Sequence, residues 1–161
     1  MRPVLLALVG VVALVVVLFA ALGWWSQRTA PAAPGLLNGV LAPCGPAPHC
    51  VCSESGDSAD RVHRVEPIAL PPQADALRWR VLREVIAMQG GNVERQAEGY
   101  LHASFESALF GFVDDVEFRL DGALLQVRSS SRVGYSDLGA NRKRVEALRA
   151  ALTEAFAAAA Q

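Results

Sequence analysis

Between Asp114 and Arg144 the chain reads DDVEFRLDGALLQVRSSSRVGYSDLGANRKR, gathering acids, arginines, hydroxyls and an amide around one tight turn. The chemistry open to such a set is anion recognition. Arg128, Ser129, Ser131, Arg132, Asp137, Asn141 and Arg142 combine guanidinium forks and hydroxyl donors with a helix start, whose free N–H groups favour negative charge. A carboxylate, a phosphate or a lipid headgroup fits that description. A structural reading competes with it: Asp137 or Asn141 caps the helix, while Arg128 and Arg132 pair with Asp114, Asp115 and Glu117. Catalysis has less behind it, and no catalytic residue is assigned. His49 and His63 lie in an irregular segment, no serine sits in a G-x-S-x-G elbow, and the adjacent Asp114 and Asp115 must point to opposite faces of a strand. The enzymatic alternative is a hydrolase or transferase that uses His102 or Tyr135 with Arg128, although Tyr135 reads more simply as a core ring.

These groups need a scaffold, and the hydropathy pattern supplies one. A helix is expected over Ala74–Met88, with Leu77, Val81, Val85 and Met88 on one stripe and Trp79, Leu82 and Ile86 widening it. Val93–Glu98 is a weak strand candidate and Tyr100–Ser107 a better one, alternating Leu101, Ala103 and Phe105 against polar neighbours. Asp121-Gly122 signals a two-residue hairpin turn. That turn would set Leu120 opposite Ala123, Phe118 opposite Leu125 and Val116 opposite Val127, with Asp115 facing Arg128 on the other side. A last helix from about Asn141 buries Val145, Leu148, Leu152 and Phe156 and runs into an alanine tail; its Arg142-Lys143-Arg144 start reads as solvated. The expected architecture is α+β: an antiparallel sheet of about four strands, covered on one face by two helices.

Upstream, Val4–Trp25 contains no charged residue. As a helix it would extend about 33 Å, enough for a bilayer core of about 30 Å. It is too long for the apolar centre of a signal peptide, and Trp24-Trp25 suit an interfacial belt, so residues 1–25 read as an uncleaved anchor rather than a cleaved signal. Residues 26–40 read as a flexible tether that lifts an extracytoplasmic domain, 41–161, off the bilayer. Arg2 before the span and Arg28 after it give a slim bias toward an internal N-terminus, hence a single-pass protein with an extracytoplasmic domain. Leu41–Gln73 carries most of the prolines and is expected to wrap an edge of the domain in extended conformation.

Three cysteines fall in the loop Cys44–Cys52. Clustered cysteines in an exported domain suggest a disulfide; Cys44 with Cys50 is the favoured pair, since Cys50 with Cys52 would close a strained ring. His49 beside three thiols raises a metal site, but the distant second ligand pair usual for zinc is missing. No metal and no cofactor is assigned. The formal net charge of −1 leaves no electrostatic footprint for nucleic acid. The expected partners are the membrane, a small anionic ligand or another membrane protein.

Several blocks together resemble a family: Leu41-Ala-Pro-Cys44 with Pro48-His-Cys50-Val51, Tyr100-Leu-His-Ala103, Phe110–Phe118, and above all Val127–Arg144. They are similar to the domain of unknown function 1499 family, over about Leu41–Leu152. The resemblance implies a domain found in bacteria and plant plastids, often behind an export or membrane segment, with no activity to carry over; together with the apolar span it implies a single-pass protein of the bacterial inner (plasma) membrane with a periplasmic domain. It also implies that Cys44 and Cys50 match the family's cysteine pair. His49 and Cys52 stand where the family more usually has asparagine and serine.

Overall fold

The structure is a computed structural model that describes residues 2–54 and 60–159. Met1 of the expected anchor and residues 160–161 of the alanine tail lie outside the described residues. The apolar run forms one helix, α1 (Arg2–Arg28), exposed along its length except at Gly23 and Ser26. Two short strands follow, β1 (Leu36–Leu37) and β2 (Val40–Leu41), joined by Asn38 and Gly39 at φ +53° and +83°. Asn-Gly is the dipeptide that a tight hairpin with two left-handed residues prefers.

The main sheet is a meander of β5 (Gly91–Ala97), β6 (Tyr100–Glu106), β7 (Val113–Asp121) and β8 (Leu124–Ser131), all antiparallel. These are the four strands expected. Two short strands, β3 (Cys50–Cys52) and β4 (Ile68–Ala69), pair one after the other along the outer edge of β8 and make the sheet six-stranded. The described parts of the proline-bearing segment thus wrap the edge, as its composition implied, while residues 55–59 of it lie outside the described residues.

Helices α2 (Asp75–Met88) and α3 (Ala140–Ala159) cover one face. Val81, Leu82, Val85 and Ile86 of α2 and Val145, Leu148, Leu152 and Phe156 of α3 close over Leu101, Ala103, Val116, Phe118, Leu125 and Val127. Each such side chain contributes about 1.5–3 kcal/mol by leaving water. Met88 departs from the expected stripe: it is the last residue of α2 and 72% exposed. Tyr135, read as a core ring, is 76% exposed on the turn before α3.

The hairpin register is two residues away from the expected one. The loop is Gly122-Ala123, not Asp121-Gly122, so Asp121 faces Leu124, Leu120 faces Leu125, Phe118 faces Val127 and Glu117 faces Arg128. Gly122, at φ +58°, takes the first central position, where this kind of turn needs a left-handed residue. A slip of two keeps every side chain on its face, so the sorting into apolar and polar faces survives. The partners across the strands do not.

Two polar networks and their geometry

The polar face is the one without helices. Its side chains form rows across the strands: Ser104, Asp115, Ser130 and Cys50 in one; His102, Glu117, Arg128 and Cys52 in the next. An antiparallel sheet usually leaves such a face wet. Here Asp115 and Glu117 are 0% exposed and Arg128 and His102 7%. The cover is the segment expected to be a free tether. Residues 26–28 complete α1, and the chain beyond it is laid on the sheet as a strap.

The strap is held through its backbone. Ala32 N donates to Asp115 Oδ2 (2.7 Å) and Gly35 N to Glu117 Oε1 (2.8 Å), while Arg128 Nη1 donates to the Ala32 carbonyl (2.5 Å). Asp115 also receives Arg132 through Nε (2.8 Å) and Nη2 (2.9 Å), and His102 Nε2 lies 2.8 Å from its Oδ1. Glu117 receives Arg128 Nη1 at 3.0 Å and the Tyr100 hydroxyl at 2.7 Å. Burial alone would raise the Asp115 pKa, but the bonds from His102, Arg132 and Ala32 outweigh it and hold the group at about 2. Burial, and the Glu117 carboxylate that accepts its hydrogen bond, push the Tyr100 hydroxyl well up. The expected Arg128–Asp115 pair is therefore replaced by Arg128–Glu117 and Arg132–Asp115. Beside them, Glu54 takes a bidentate contact from Arg119 and accepts from Leu41 N (2.7 Å), fastening the end of the strap.

Ser129, Ser131, Asp137 and Asn141 belong to a different network on the helix face. Asn141, 0% exposed, accepts from Ser129 Oγ (2.5 Å) and donates to the His49 carbonyl (2.9 Å) and Ser131 Oγ (2.9 Å). Asp137 Oδ2 accepts from the Asn141 backbone N–H (2.8 Å) and side-chain amide (2.8 Å), and Oδ1 accepts from Gly139 N (2.9 Å). Burial works against the Asp137 carboxylate, but those N–H groups hold its pKa below the ordinary value. This is a helix cap tied to a strand. Asp114 points to this side and pairs with Arg144 (2.8 Å), which is therefore not the solvated residue expected. Arg142 stands apart, donating to the carbonyls of Arg61 and Val62 at 3.2 and 3.1 Å.

The residues grouped as one anion site are thus split by the sheet, Arg128 and Arg132 on the strap face and Ser129, Ser131, Asp137 and Asn141 on the helix face. Alternation along β8 decides this. Each network is satisfied within itself except at two buried atoms among the described residues, Arg128 Nε and His49 Nδ1, which have no partner. The surface clefts meet only part of this set. One of about 670 Å³ is at the Gly99 and Gly122 turns, one of about 410 Å³ beside Arg61, Arg64 and Arg142, one of about 320 Å³ between Pro71 and Phe156, and one of about 300 Å³ between α1 and the turn before α3, where Ser131 and Asp137 line it. None of the four is lined by Arg128, Arg132 or Asn141.

Sequence reasoning missed Ala32, Gly35 and Glu54. The Asn38-Gly39 dipeptide flanked by apolar pairs was the available sign that residues 26–40 are structured. The expected cysteine pairing is present: Cys44 is bonded to Cys50. Cys52 is free and wholly buried, and burial raises its thiol pKa, which leaves it a poor nucleophile.

A family model described as a protein of unknown function (DUF1499) matches residues 40–152, well over half of the 161-residue chain. No curated protein and no solved structure gives a significant match.

Proposed function

The chain belongs to the DUF1499 family, and we propose that within it this protein is a single-pass, membrane-anchored module of the bacterial inner membrane that works by binding or assembly. Its α+β domain is read as extracytoplasmic and its Arg/Asp/Glu cluster as the clasp that fixes the domain to its anchor. One observation carries this reading: the buried carboxylates Asp115 and Glu117 grip the backbone of Ala32 and Gly35, the chain that leaves α1. Length and apolarity support α1 as the anchor, and the Cys44–Cys50 disulfide supports an oxidising compartment.

Two measurements test it. The full chain, expressed in a bacterium, should stay with the membrane through alkaline extraction, and its C-terminus should become protease-sensitive only when the outer side is opened. Release of a shortened soluble form defeats the anchor. Asp115→Asn, reconstituted in vesicles, should expose residues 29–35 to protease while the core stays folded; an unchanged digestion pattern defeats the clasp.

A second reading, a small anionic ligand or lipid headgroup, has the unpartnered Nε of Arg128 in its favour. It predicts saturable binding of inorganic phosphate, or tighter binding to anionic than to zwitterionic vesicles, lost in Arg128→Lys without loss of fold. The enzymatic alternative has less support, because His102 is committed to Asp115 inside the strap face while Tyr135 stands exposed on a separate turn.

A further inference from the structure

The geometry points to a lipid-facing surface at one end of the domain: the turns 107–112 and 133–139 sit in the interfacial layer of the bilayer, beside the emerging anchor. This rests on the anchor reading of α1 and goes beyond it, because a spanning helix alone would permit a domain held clear of the membrane.

The first observation is depth. Phe19 of α1 packs on Phe110 (ring centroids 5.3 Å apart) and Phe112 (6.3 Å). Gly23 is pressed so closely on the same turn that a Cβ there would lie 1.6 Å from the Phe110 carbonyl oxygen. Ser26 Oγ accepts from Val113 N (2.9 Å), and Gln27 Nε2 donates to Glu106 (2.8 Å). Residues 19, 23, 26 and 27 lie on one helical face, so α1 is docked over two turns. Phe19 precedes Trp25 by six residues, about 9 Å along the axis. If the Trp24-Trp25 pair marks the lipid–water boundary, whatever touches Phe19 is level with lipid.

The second observation is composition. Among the described residues outside α1, the three most exposed large apolar side chains are Leu138 (88%), Leu109 (81%) and Tyr135 (76%). All three are on these two turns, where β6 ends, β7 begins and β8 ends. Ser107–Phe112 carries no charge, and Val133–Gly139 carries only Asp137, whose carboxylate is turned inward onto Gly139 and Asn141. The cleft of about 300 Å³ between Phe19, Leu22 and Leu138 continues the same apolar surface. An end facing water would gain nothing from this arrangement; one set in lipid buries about 25 cal/mol per Å² of it. A tyrosine at its margin suits the interface.

The test uses nitroxide labels on the full chain in vesicles of phosphatidylethanolamine and phosphatidylglycerol, reading accessibility to oxygen against a water-soluble nickel chelate. Labels go at Leu109→Cys, Leu138→Cys, Val12→Cys in the middle of α1 and Glu98→Cys in the turn at the opposite end of the sheet, with the native chain and its buried Cys52 as labelling blank. Labels at 109 and 138 should show an oxygen-to-nickel ratio several-fold above that at 98 and below that at 12. If 109 and 138 match 98 while 12 is lipid-shielded, the lipid surface is overturned and the anchor stands. If 12 is itself open to nickel, the anchor fails and this inference fails with it.

Discussion

The two faces of the sheet bury comparable numbers of side chains by opposite means. On one, helices lay Val, Leu, Ile and Phe side chains over Val116, Phe118 and Val127. On the other, an extended strap meets Asp115, Glu117, Arg128 and Arg132 through carbonyl and N–H groups. Apolar burial is non-directional, and a helix can settle on it with some freedom. Buried charges cost free energy unless every partner is placed, so the strap face tolerates only one seating of the chain. The helix face therefore makes the domain stable, while the strap face makes its position relative to α1 specific.

Paired substitutions break that comparison. Phe118→Ala and Asp115→Ala should each cost about 3–5 kcal/mol, the first by leaving a cavity and the second by stranding Arg132. Denaturant unfolding should register both. Only Asp115→Ala should free residues 29–35 to hydrogen exchange ahead of global unfolding; equal protection of the strap in the two variants would erase the distinction drawn between the faces.

Acid sharpens the same contrast. Asp115 titrates at about 2 when folded and at about 3.9 when unfolded. A depressed carboxylate lends stability that is complete above its unfolded pKa and lost as pH falls toward the folded one. Stability should therefore drop by about 2 kcal/mol between about pH 4 and pH 2 on account of this group. Asp115→Asn should flatten that part of the curve, and an unaltered pH profile would show that the clasp is not electrostatic.

The smallest effect tests the register. Gly122→Ala should cost about 1–2 kcal/mol, because Gly122 has φ +58°. The same change placed at Asp121, outside the loop, should cost less. The reverse order in thermal unfolding would restore the Asp121-Gly122 turn and its different pairing.

Period-two and period-three-to-four patterning made α2, α3 and β6–β8 legible, and with them the α+β class. Parity also made the separation of Asp114 from Asp115 legible. What failed was adjacency. Ser129 and Arg128 are neighbours in the chain and end in different networks, so clustering in sequence overstated clustering in space. The register slipped because Asp-Gly and Gly-Ala overlap at Gly122, and either loop keeps the apolar residues on one face.

By itself the sequence determined the apolar helix, the two amphipathic helices, the polarity of each strand face and the pairing of Cys44 with Cys50. These follow from local periodicity, composition and short spacing. Only the tertiary structure decided that Arg132 takes Asp115, that Arg128 takes Glu117, and that residues 29–35 cover them both. The strap contributes backbone N–H and C=O groups, which every residue but proline possesses alike, so no side-chain pattern announces where they bind.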